Sequence, residues 1–219
     1  MIEVLSSIGM KAALEKIGPA GCRIEYTTGA AVERRIEGGA PFDVALLFPA
    51  MLERLARQQK IAAGSIRPVA KSWLSAAVRA GAAAPDLSSV PALVAALRSA
   101  GSIAYSREGQ SGVLMAEVIE CLGLTRELAA KTIRETRAGG AAFNLGEGRA
   151  ELAFTIAAEI VAVPGATLAG GLPAELAQCV TFAAGLSPRA DAGAAEEFLA
   201  LLRTPAAARA YASSGLEQP

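Results

Sequence analysis

A short turn between residues 37 and 47 limits what this chain can fold into more than any other segment. It reads Glu37-Gly38-Gly39-Ala40-Pro41-Phe42-Asp43-Val44-Ala45-Leu46-Leu47. Residues 30–36 before it have helical spacing of apolar side chains, and the glycine pair ends that helix. Proline at position 41 interrupts any helical continuation, and the apolar run that follows predicts a short buried strand. The segment therefore predicts a helix, a turn and a buried strand in immediate succession.

The same alternation of apolar runs and helical patterns continues along the chain. Strands are predicted at Ile2–Leu5, Arg23–Tyr26, Val44–Leu47, Leu74–Arg79, Ser102–Tyr105, Leu152–Ile156 and Thr181–Gly185. Helices are predicted near Met10–Ile17, Ala30–Glu37, Met51–Gln58, Val90–Ala100, Gly112–Leu122, Arg126–Thr132, Ala141–Gly146 and Ala192–Leu202. Strands that alternate with helices are typical of α/β proteins, in which helices cover a largely parallel sheet. The order of elements therefore predicts an α/β fold.

The charge balance and the absence of histidine exclude several classes of function. Lysine plus arginine and aspartate plus glutamate each number 21, so no net field attracts nucleic acid or an anionic membrane. The chain has no histidine, which removes Ser-His-Asp and Cys-His catalysis and imidazole metal ligands. No apolar run reaches the roughly 20 residues of a membrane-spanning helix. We therefore expect no nucleic-acid partner, no membrane insertion, no metal and no cofactor.

The three cysteines are Cys22, Cys121 and Cys179. Their odd number, wide separation and apolar neighbours indicate neither a disulfide framework nor a CxxC site. We interpret them as thiols of the hydrophobic core.

The turn at residues 37–47 also carries a family resemblance. The residues Gly39-Ala40-Pro41-x-Asp43-Val44, after a helix that opens at Thr28-Gly29, resemble the molybdate-binding proteins of ABC importers. The resemblance runs from Val4 through Leu201, and only this segment of it is specific. It implies the two-lobed type II periplasmic binding-protein fold, with two mixed sheets flanked by helices and joined by two crossing segments. It also implies lobes that close over a small solute by a hinge motion and then meet an ABC permease.

Two passages have the composition expected of crossing segments. A loose run rich in alanine, glycine and proline follows the predicted strand at Leu74–Arg79, and Leu186-Ser187-Pro188 follows the one at Thr181–Gly185. Composition alone is also consistent with two ordinary surface loops. Together with the resemblance, these passages predict one lobe of residues 1–78 plus 187–219 and a second lobe of residues 79–186.

Four strand-to-helix turns are the candidate ligand-binding segments, at residues 6–10, 27–30, 106–112 and 137–140. Ligands of open parallel sheets gather at the carboxyl ends of strands, where helix N-termini present free N–H groups. From these turns and from the strand at 152–156, we predict ligand contacts at Ser6, Ser7, Gly9, Thr28, Gly29, Ser111, Gly139, Thr155 and Ile156. Any one of these hydroxyls or glycines has capping as an alternative role, so only the four turns together favour a site.

The departures from the molybdate-binding pattern bear on the ligand. The resemblance places two family serines and one family tyrosine at Gly9, Gly29 and Ile156, so three expected hydroxyls are missing. The hydroxyls that can substitute are Ser7, Thr28, Ser111 and Thr155. A polar segment of the family is replaced by Phe48-Pro49, which predicts an apolar edge.

Three charged residues, Arg107, Glu108 and Glu159, are expected near the ligand-binding cleft. A buried glutamate there would repel an oxyanion and a buried arginine would clamp a carboxylate, whereas solvated charges on loop rims would do neither. Asp43 is expected to accept hydrogen bonds from turn amides rather than to contact a ligand.

The sequence leaves three functions open. The first is the solute-binding component of an ABC importer that captures a small oxyanion such as molybdate or tungstate. The second is the same fold binding a small organic anion, as a transport or cytoplasmic sensing protein. The third is an enzyme, which we do not expect because histidine, paired carboxylates and a nucleophile elbow are all missing.

The expected partners are a small anionic ligand and an ABC permease, and the protein itself is expected to be a monomer. Residues 1–5 already read as a strand, with no signal segment before them. We expect a periplasmic location if a signal peptide has been removed, and a cytoplasmic one if Met1 is the native start.

Overall fold

Two long strands carry the chain from one folded unit to another and back. The computed structural model describes residues 1–137 and 140–219. The first unit comprises Met1–Lys71 with Thr181–Pro219, and the second comprises Ser72–Val180. The chain changes unit within the strands Arg67–Arg79 and Cys179–Leu186. Both changes come before the loops at which the crossing segments were predicted. The lobe bounds of 1–78 plus 187–219 and 79–186 stay a prediction about which residues move together.

The described residues form the following elements. The strands are β1 (Ile2–Ser7), β2 (Cys22–Thr27), β3 (Val44–Leu47), β4 (Arg67–Arg79), β5 (Ile103–Ser106), β6 (Thr132–Glu135), β7 (Leu152–Ile156), β8 (Ala166–Gly171) and β9 (Cys179–Leu186). The helices are α1 (Lys11–Ile17), α2 (Gly29–Glu37), α3 (Pro49–Arg57), α4 (Val90–Ser99), α5 (Gln110–Cys121), α6 (Thr125–Leu128), α7 (Phe143–Gly146), α8 (Ala157–Val161), α9 (Ala192–Leu201) and α10 (Pro205–Ala212). Short 3₁₀ turns occur at Ile8–Met10, Ala129–Lys131 and Ala174–Leu176.

The sheet of the first unit is mixed. Strand β1 is parallel to both β2 and β3, and β9 pairs with β3 in the antiparallel direction. All four residues of β3 are completely buried, and Gly39 in the turn before it has a φ of +86°, which a side chain would strain. The predicted succession of helix, turn and buried strand is confirmed. Helices α2 and α3 pack on this sheet through a shared apolar cluster of Leu5, Val32, Ile36, Ala45, Leu47, Leu52, Leu55, Ile61 and Ala183.

The sheet of the second unit is also mixed. Strand β5 is parallel to β6 and β7, and β4 pairs with β7 and β8 in the antiparallel direction. A large apolar cluster joins this sheet to α4 and α5, and Phe154 at its centre is completely buried. The α/β fold with mixed sheets flanked by helices, predicted from the sequence, is therefore confirmed.

All seven predicted strands are present. The described residues also form strands β6 and β8 and helices α8 and α10, which were not predicted. The helix predicted at 126–132 is wrong in its second half, where α6 gives way to a 3₁₀ turn and β6 begins at Thr132. In the described part of the chain, each helix is too short or too polar to traverse a bilayer.

Candidate functional site

The parallel strands of the first unit end together at one edge of their sheet. In the register of β1 with β2, Ser7 lies opposite Thr27, and Ser6 lies opposite Leu46 of β3. The turns that follow these strands therefore start side by side, and we call Ser6, Ser7, Gly9, Thr28, Gly29 and Phe48 the first-unit edge. This is the end of a parallel sheet at which ligands usually bind.

Both serines of the first-unit edge are shielded from solvent. Ser6 is completely buried and its hydroxyl donates to the carbonyl oxygen of Ser7 at 3.1 Å, while Ser7 is 4% exposed. Ser7 precedes a 3₁₀ turn in which Gly9 is buried, and among the described residues its side chain caps no N–H group of that turn. Capping therefore does not account for Ser7, and its hydroxyl is available for another acceptor.

Thr28, by contrast, has the capping role that was its alternative. Its Oγ1 accepts a hydrogen bond from the N–H of Ala31 at 3.1 Å in the first turn of α2. Gly29 beside it is buried, and a Cβ there would lie 3.2 Å from both Phe48 and Met51. Phe48 is partly exposed and its ring lies 5.3 Å from that of Phe182. Phe48 therefore adds an apolar side chain to the first-unit edge, and its place at the mouth of a ligand cleft stays a prediction.

Thr28→Ala is expected to lower the free energy of unfolding by about 1 kcal/mol, because one N–H group of α2 loses its acceptor. Urea unfolding followed by circular dichroism measures this change. Thr28→Ser keeps the hydroxyl and is expected to stay within about 0.5 kcal/mol of the wild type. Equal losses for both variants would show that the cap does not stabilise α2.

The second unit has a corresponding edge where β5, β6 and β7 end. Ser106 lies opposite Glu135 in the register of β5 with β6, and Tyr105 lies opposite Phe154 two residues before β7 ends. We call Ser106, Ser111, Glu135, Thr155, Ile156 and Glu159 the second-unit edge. All of them except Ser106 and Glu159 are at least nine-tenths buried.

The turn after β5 is held tightly to the strand. The hydroxyl of Ser106 accepts a hydrogen bond from the N–H of Gly109 at 2.8 Å. Gly112 packs against the same residue so closely that a Cβ there would lie 2.0 Å from the Ser106 carbonyl oxygen. These contacts position the first turn of α5, which carries Ser111.

Ser111, Thr155 and Glu159 form a chain of hydrogen bonds that sequence reasoning missed. The Oγ atoms of Ser111 and Thr155 are 3.1 Å apart, and Thr155 Oγ1 also bonds the carboxyl group of Glu159. Burial raises the pKa of the Glu159 carboxyl, and the Thr155 hydrogen bond opposes this shift only in part. The sequence places these residues 44 and 4 positions apart, so nothing short of the fold indicates that they meet.

A second carboxyl group, Glu135, is held very differently. It accepts hydrogen bonds from the side chain and backbone of Arg137, from the amide of Asn144 and from the N–H of Thr136, and together these lower its pKa to about 2. Arg149 lies 3.4 Å away from the same carboxylate. Glu147 pairs with both arginines, so the two glutamates and two arginines neutralise one another. This cluster therefore holds Thr136, Arg137 and Asn144 in place rather than offering charge to a ligand. The predicted contact Gly139 lies outside the described residues.

A family model for bacterial extracellular solute-binding proteins matches residues 2–217 of this chain. The chain belongs to that family. This solute-binding protein is also 30% identical in sequence to an aconitate isomerase from a Pseudomonas species. The match covers 99% of this chain and 87% of the relative. This match and the match to the family model each cover nearly the whole chain.

Solved structures show the same fold at lower sequence identity. The Azotobacter vinelandii periplasmic molybdate-binding protein has a TM-score of 0.77 and 22% identity, with all of both chains covered. PEB3 of Campylobacter jejuni with L-phospholactate bound has a TM-score of 0.75 and 13% identity, again with all of both chains covered. The type II periplasmic binding-protein fold predicted for this solute-binding protein is therefore confirmed, and molybdate as its ligand stays a prediction.

The structure also shows the surroundings of the charged residues and cysteines that the sequence singled out. Arg107 and Glu108 are exposed on the rim of their turn, whereas Glu159 is partly buried. Asp43 is a structural acceptor, but its carboxylate bonds the strand amide of Glu3 at 2.8 Å rather than a turn amide. The interpretation of the three cysteines as core thiols is wrong. Cys22 and Cys179 are partly exposed, and Cys121 is exposed because it lies off the buried face of α5.

A groove of about 510 Å³ also occurs in the second unit, at the opposite end of its sheet. Half of its lining residues are alanines, its charged residues are Arg79 and Glu151, and Glu151 already accepts from the N–H of Gly101. Its distance from the polar turns gives it no part in the candidate site. Within residues 1–137 and 140–219, no three carboxylate or thiol side chains gather as a metal ion would require.

Proposed function

We propose that this solute-binding protein captures a small organic anion that carries carboxylate groups, and presents it to an ABC permease. The candidate carboxylate contacts are neutral hydrogen-bond donors, which each unit carries at its own edge. The proposal takes the organic-anion alternative of the sequence analysis over inorganic oxyanion capture.

The observation that carries this choice is the apolar part of the first-unit edge. An inorganic oxyanion has acceptor oxygens on every side, so each apolar neighbour leaves part of its charge without a donor. At Gly29, a family hydroxyl is replaced by hydrogen and the space beside it is occupied by Phe48. A ligand with a carbon skeleton can bury apolar surface there and still place a carboxylate on the available hydroxyl of Ser7.

The second-unit edge points the same way. Ile156 stands at the end of β7 where a hydroxyl is expected from the resemblance, and it is 3% exposed. Glu159 adds a carboxyl group behind Ser111 and Thr155, which disfavours a compact dianion more than an extended ligand with separated charges. The relative of 30% identity is named for aconitate, a tricarboxylate, and PEB3 binds phospholactate, another organic anion.

Thermal shift and calorimetric titration test this proposal directly. Cis-aconitate, citrate and lactate are compared with molybdate, tungstate and sulfate at the same concentrations. A carboxylate present at 100 times its Kd is expected to stabilise the protein by about 2.7 kcal/mol, and so to raise Tm by roughly 5–10 °C. Tight binding of molybdate or tungstate without any response to the carboxylates would overturn the proposal in favour of oxyanion capture.

Single substitutions then show which edge contacts the ligand. Ser7→Ala in the first unit and Ser111→Ala in the second are each expected to weaken carboxylate binding by about 10- to 100-fold, since each removes a donor to a charged group. Ser99→Ala changes an exposed serine at the opposite end of the second-unit sheet and is the matched control. A variant that binds like the control excludes its edge from the site.

The same samples distinguish capture from catalysis. We propose binding without turnover, because isomerisation by proton transfer needs an acid and a base in reach of the substrate. The chain has no histidine, and the carboxyl groups of the second-unit edge are already bonded, Glu135 to Arg137 and Asn144 and Glu159 to Thr155. Proton NMR of cis-aconitate incubated with the protein is expected to stay unchanged. Appearance of trans-aconitate would identify the protein as an isomerase.

A further inference from the structure

The hydrogen-bond chain from Glu159 through Thr155 to Ser111 has two possible directions. A carboxylate only accepts, so an ionised Glu159 accepts the hydrogen bond that the Thr155 hydroxyl donates, and Thr155 must then accept from Ser111. In that state the single hydroxyl proton of Ser111 points inward along the chain. A protonated Glu159 can donate to Thr155, which then donates to Ser111 and leaves the Ser111 proton for another acceptor.

The direction of these hydrogen bonds matters for binding because Thr155 and Ser111 are buried. Thr155 is 1% exposed and Ser111 is 7% exposed, so water does not replace a donor that turns inward. An anion near Ser111 therefore meets a hydroxyl donor in one protonation state of Glu159. In the other state it meets an acceptor oxygen backed by a negative charge.

We propose that Glu159 takes up a proton when an anion binds at Ser111, and thereby sets the pH range in which the anion is held. This inference rests on the proposed function in requiring an anion at the second-unit edge. It adds a regulatory residue that does not itself need to touch the ligand: Glu159 is a positioning residue that acts through Thr155.

The surroundings of Glu159 favour the neutral state. Strands β7 and β8, which pack against its helix α8, carry no ionisable side chain. Glu117 and Glu120 of α5 are exposed to solvent, and Arg79 of β4 donates to the Leu145 carbonyl oxygen instead. Arg107 and Glu108 of the neighbouring turn are exposed, and none of the ion pairs formed by the described residues includes Glu159.

The sign of the effect follows from the direction of these hydrogen bonds. Burial already raises the pKa of Glu159 above its ordinary value of 4.5. An anion that accepts a hydrogen bond from Ser111 requires Thr155 to donate to Ser111 and a protonated Glu159 to donate to Thr155, so a bound anion raises that pKa further. Binding therefore takes up a proton, and affinity rises as the pH falls through the range in which Glu159 ionises. Linkage limits the change to about tenfold in Kd per pH unit for one proton.

Titration calorimetry with cis-aconitate, from pH 5 to 8 and in buffers of different ionisation enthalpy, counts the protons taken up. The wild type is expected to take up as much as one proton and to bind more weakly at higher pH. Glu159→Gln keeps a donor toward Thr155 and is expected to bind well at every pH without that proton. The exposed Glu117→Gln on α5 is the matched control and is expected to behave like the wild type.

Thr155→Val is the second test, because it breaks the hydrogen-bond chain while the side chain keeps its shape. It is expected to weaken binding, with the melting temperature reporting whether the variant is folded. Once Thr155→Val is in place, adding Glu159→Gln is expected to leave the number of protons taken up unchanged. Equal proton uptake in the wild type and in the single variant Glu159→Gln would overturn the proposal.

The proposed function and the proton linkage fail in different ways. If molybdate or sulfate binds and cis-aconitate does not, the organic-anion function is wrong. Proton uptake is then measured with the inorganic anion, and equal uptake by the wild type and Glu159→Gln would show that the proton linkage is wrong too. If no anion of either kind binds, both are wrong.

Discussion

Gly112→Ala is expected to lower the free energy of unfolding by about 3 kcal/mol or more, a large effect for one added methyl group. The added Cβ would lie 2.0 Å from the carbonyl oxygen of Ser106 and 2.6 Å from its carbonyl carbon. Both are backbone atoms at the end of β5, so no side chain can turn aside to make room, and α5 must move away from the sheet. Urea unfolding followed by the fluorescence of Trp73, the single tryptophan, measures the loss.

Gly146→Ala is the matched control for this substitution. Gly146 also belongs to a helix, α7, but a Cβ there would meet its nearest neighbour, the Pro164 carbonyl oxygen, at 3.6 Å. That is ordinary contact, so this variant is expected to be neutral or slightly stabilising, since alanine has the higher helix propensity. If the two alanine variants unfold at the same urea concentration, the close packing of α5 on β5 is not as described.

Glu135→Gln is expected to lower the free energy of unfolding by about 2–3 kcal/mol at neutral pH and to flatten the acid side of the stability profile. Glu135 is 7% exposed and its carboxylate accepts from Arg137, Asn144 and Thr136. The amide of a glutamine would turn an N–H₂ group toward donors in place of an acceptor, which leaves buried donors unpaired.

The pH dependence has a definite sign. These hydrogen bonds hold the pKa of Glu135 at about 2, below its ordinary value of 4.5. Its contribution is therefore fully present above about pH 4.5 and is lost as the pH falls toward 2, by up to about 3 kcal/mol. Glu135→Gln should lack this part of the acid destabilisation.

Glu147→Gln separates this buried carboxylate from its exposed neighbour in the same cluster. Glu147 is 43% exposed and pairs with Arg137 and Arg149, and an exposed ion pair contributes about 1 kcal/mol or less. Acid and urea titrations of both variants are expected to show a large change for Glu135 and a small one for Glu147. A reversed order would assign the stability of this segment to the surface pair.

The elements that could be predicted were those with a strong local signal. Strand β3 was predicted with its observed bounds because four consecutive apolar residues follow two glycines and a proline. Strand β8 escaped prediction because Ala166–Gly171 has two glycines and no apolar alternation, so only its pairing with β4 makes it a strand. Helix α10 escaped because its run of alanines has little amphipathic pattern, although Thr204 caps it and Tyr211 anchors it in the core.

The candidate site shows the same division between local and distant signals. Seven of the nine predicted ligand contacts lie at or near the ends of parallel strands: Ser6, Ser7, Gly9, Thr28, Gly29, Thr155 and Ile156. The first five were predicted from strand-to-helix turns, and the last two from the predicted strand at 152–156 and the family resemblance. Their order along the chain is enough for that, since parallel strands joined by helices end at the same edge. The hydrogen-bond chain of Ser111, Thr155 and Glu159 was not predictable in this way.

The α/β class, the position of the turns and the absence of histidine chemistry followed from the order and kinds of residues, because hydrophobic periodicity and turn residues act over a few positions. Which hydroxyl caps a helix, which one stays available and which carboxyl group lies buried behind it depended on the folded chain. Those properties depend on burial and on contacts between residues that are distant in the sequence. A local sequence pattern predicts neither of them.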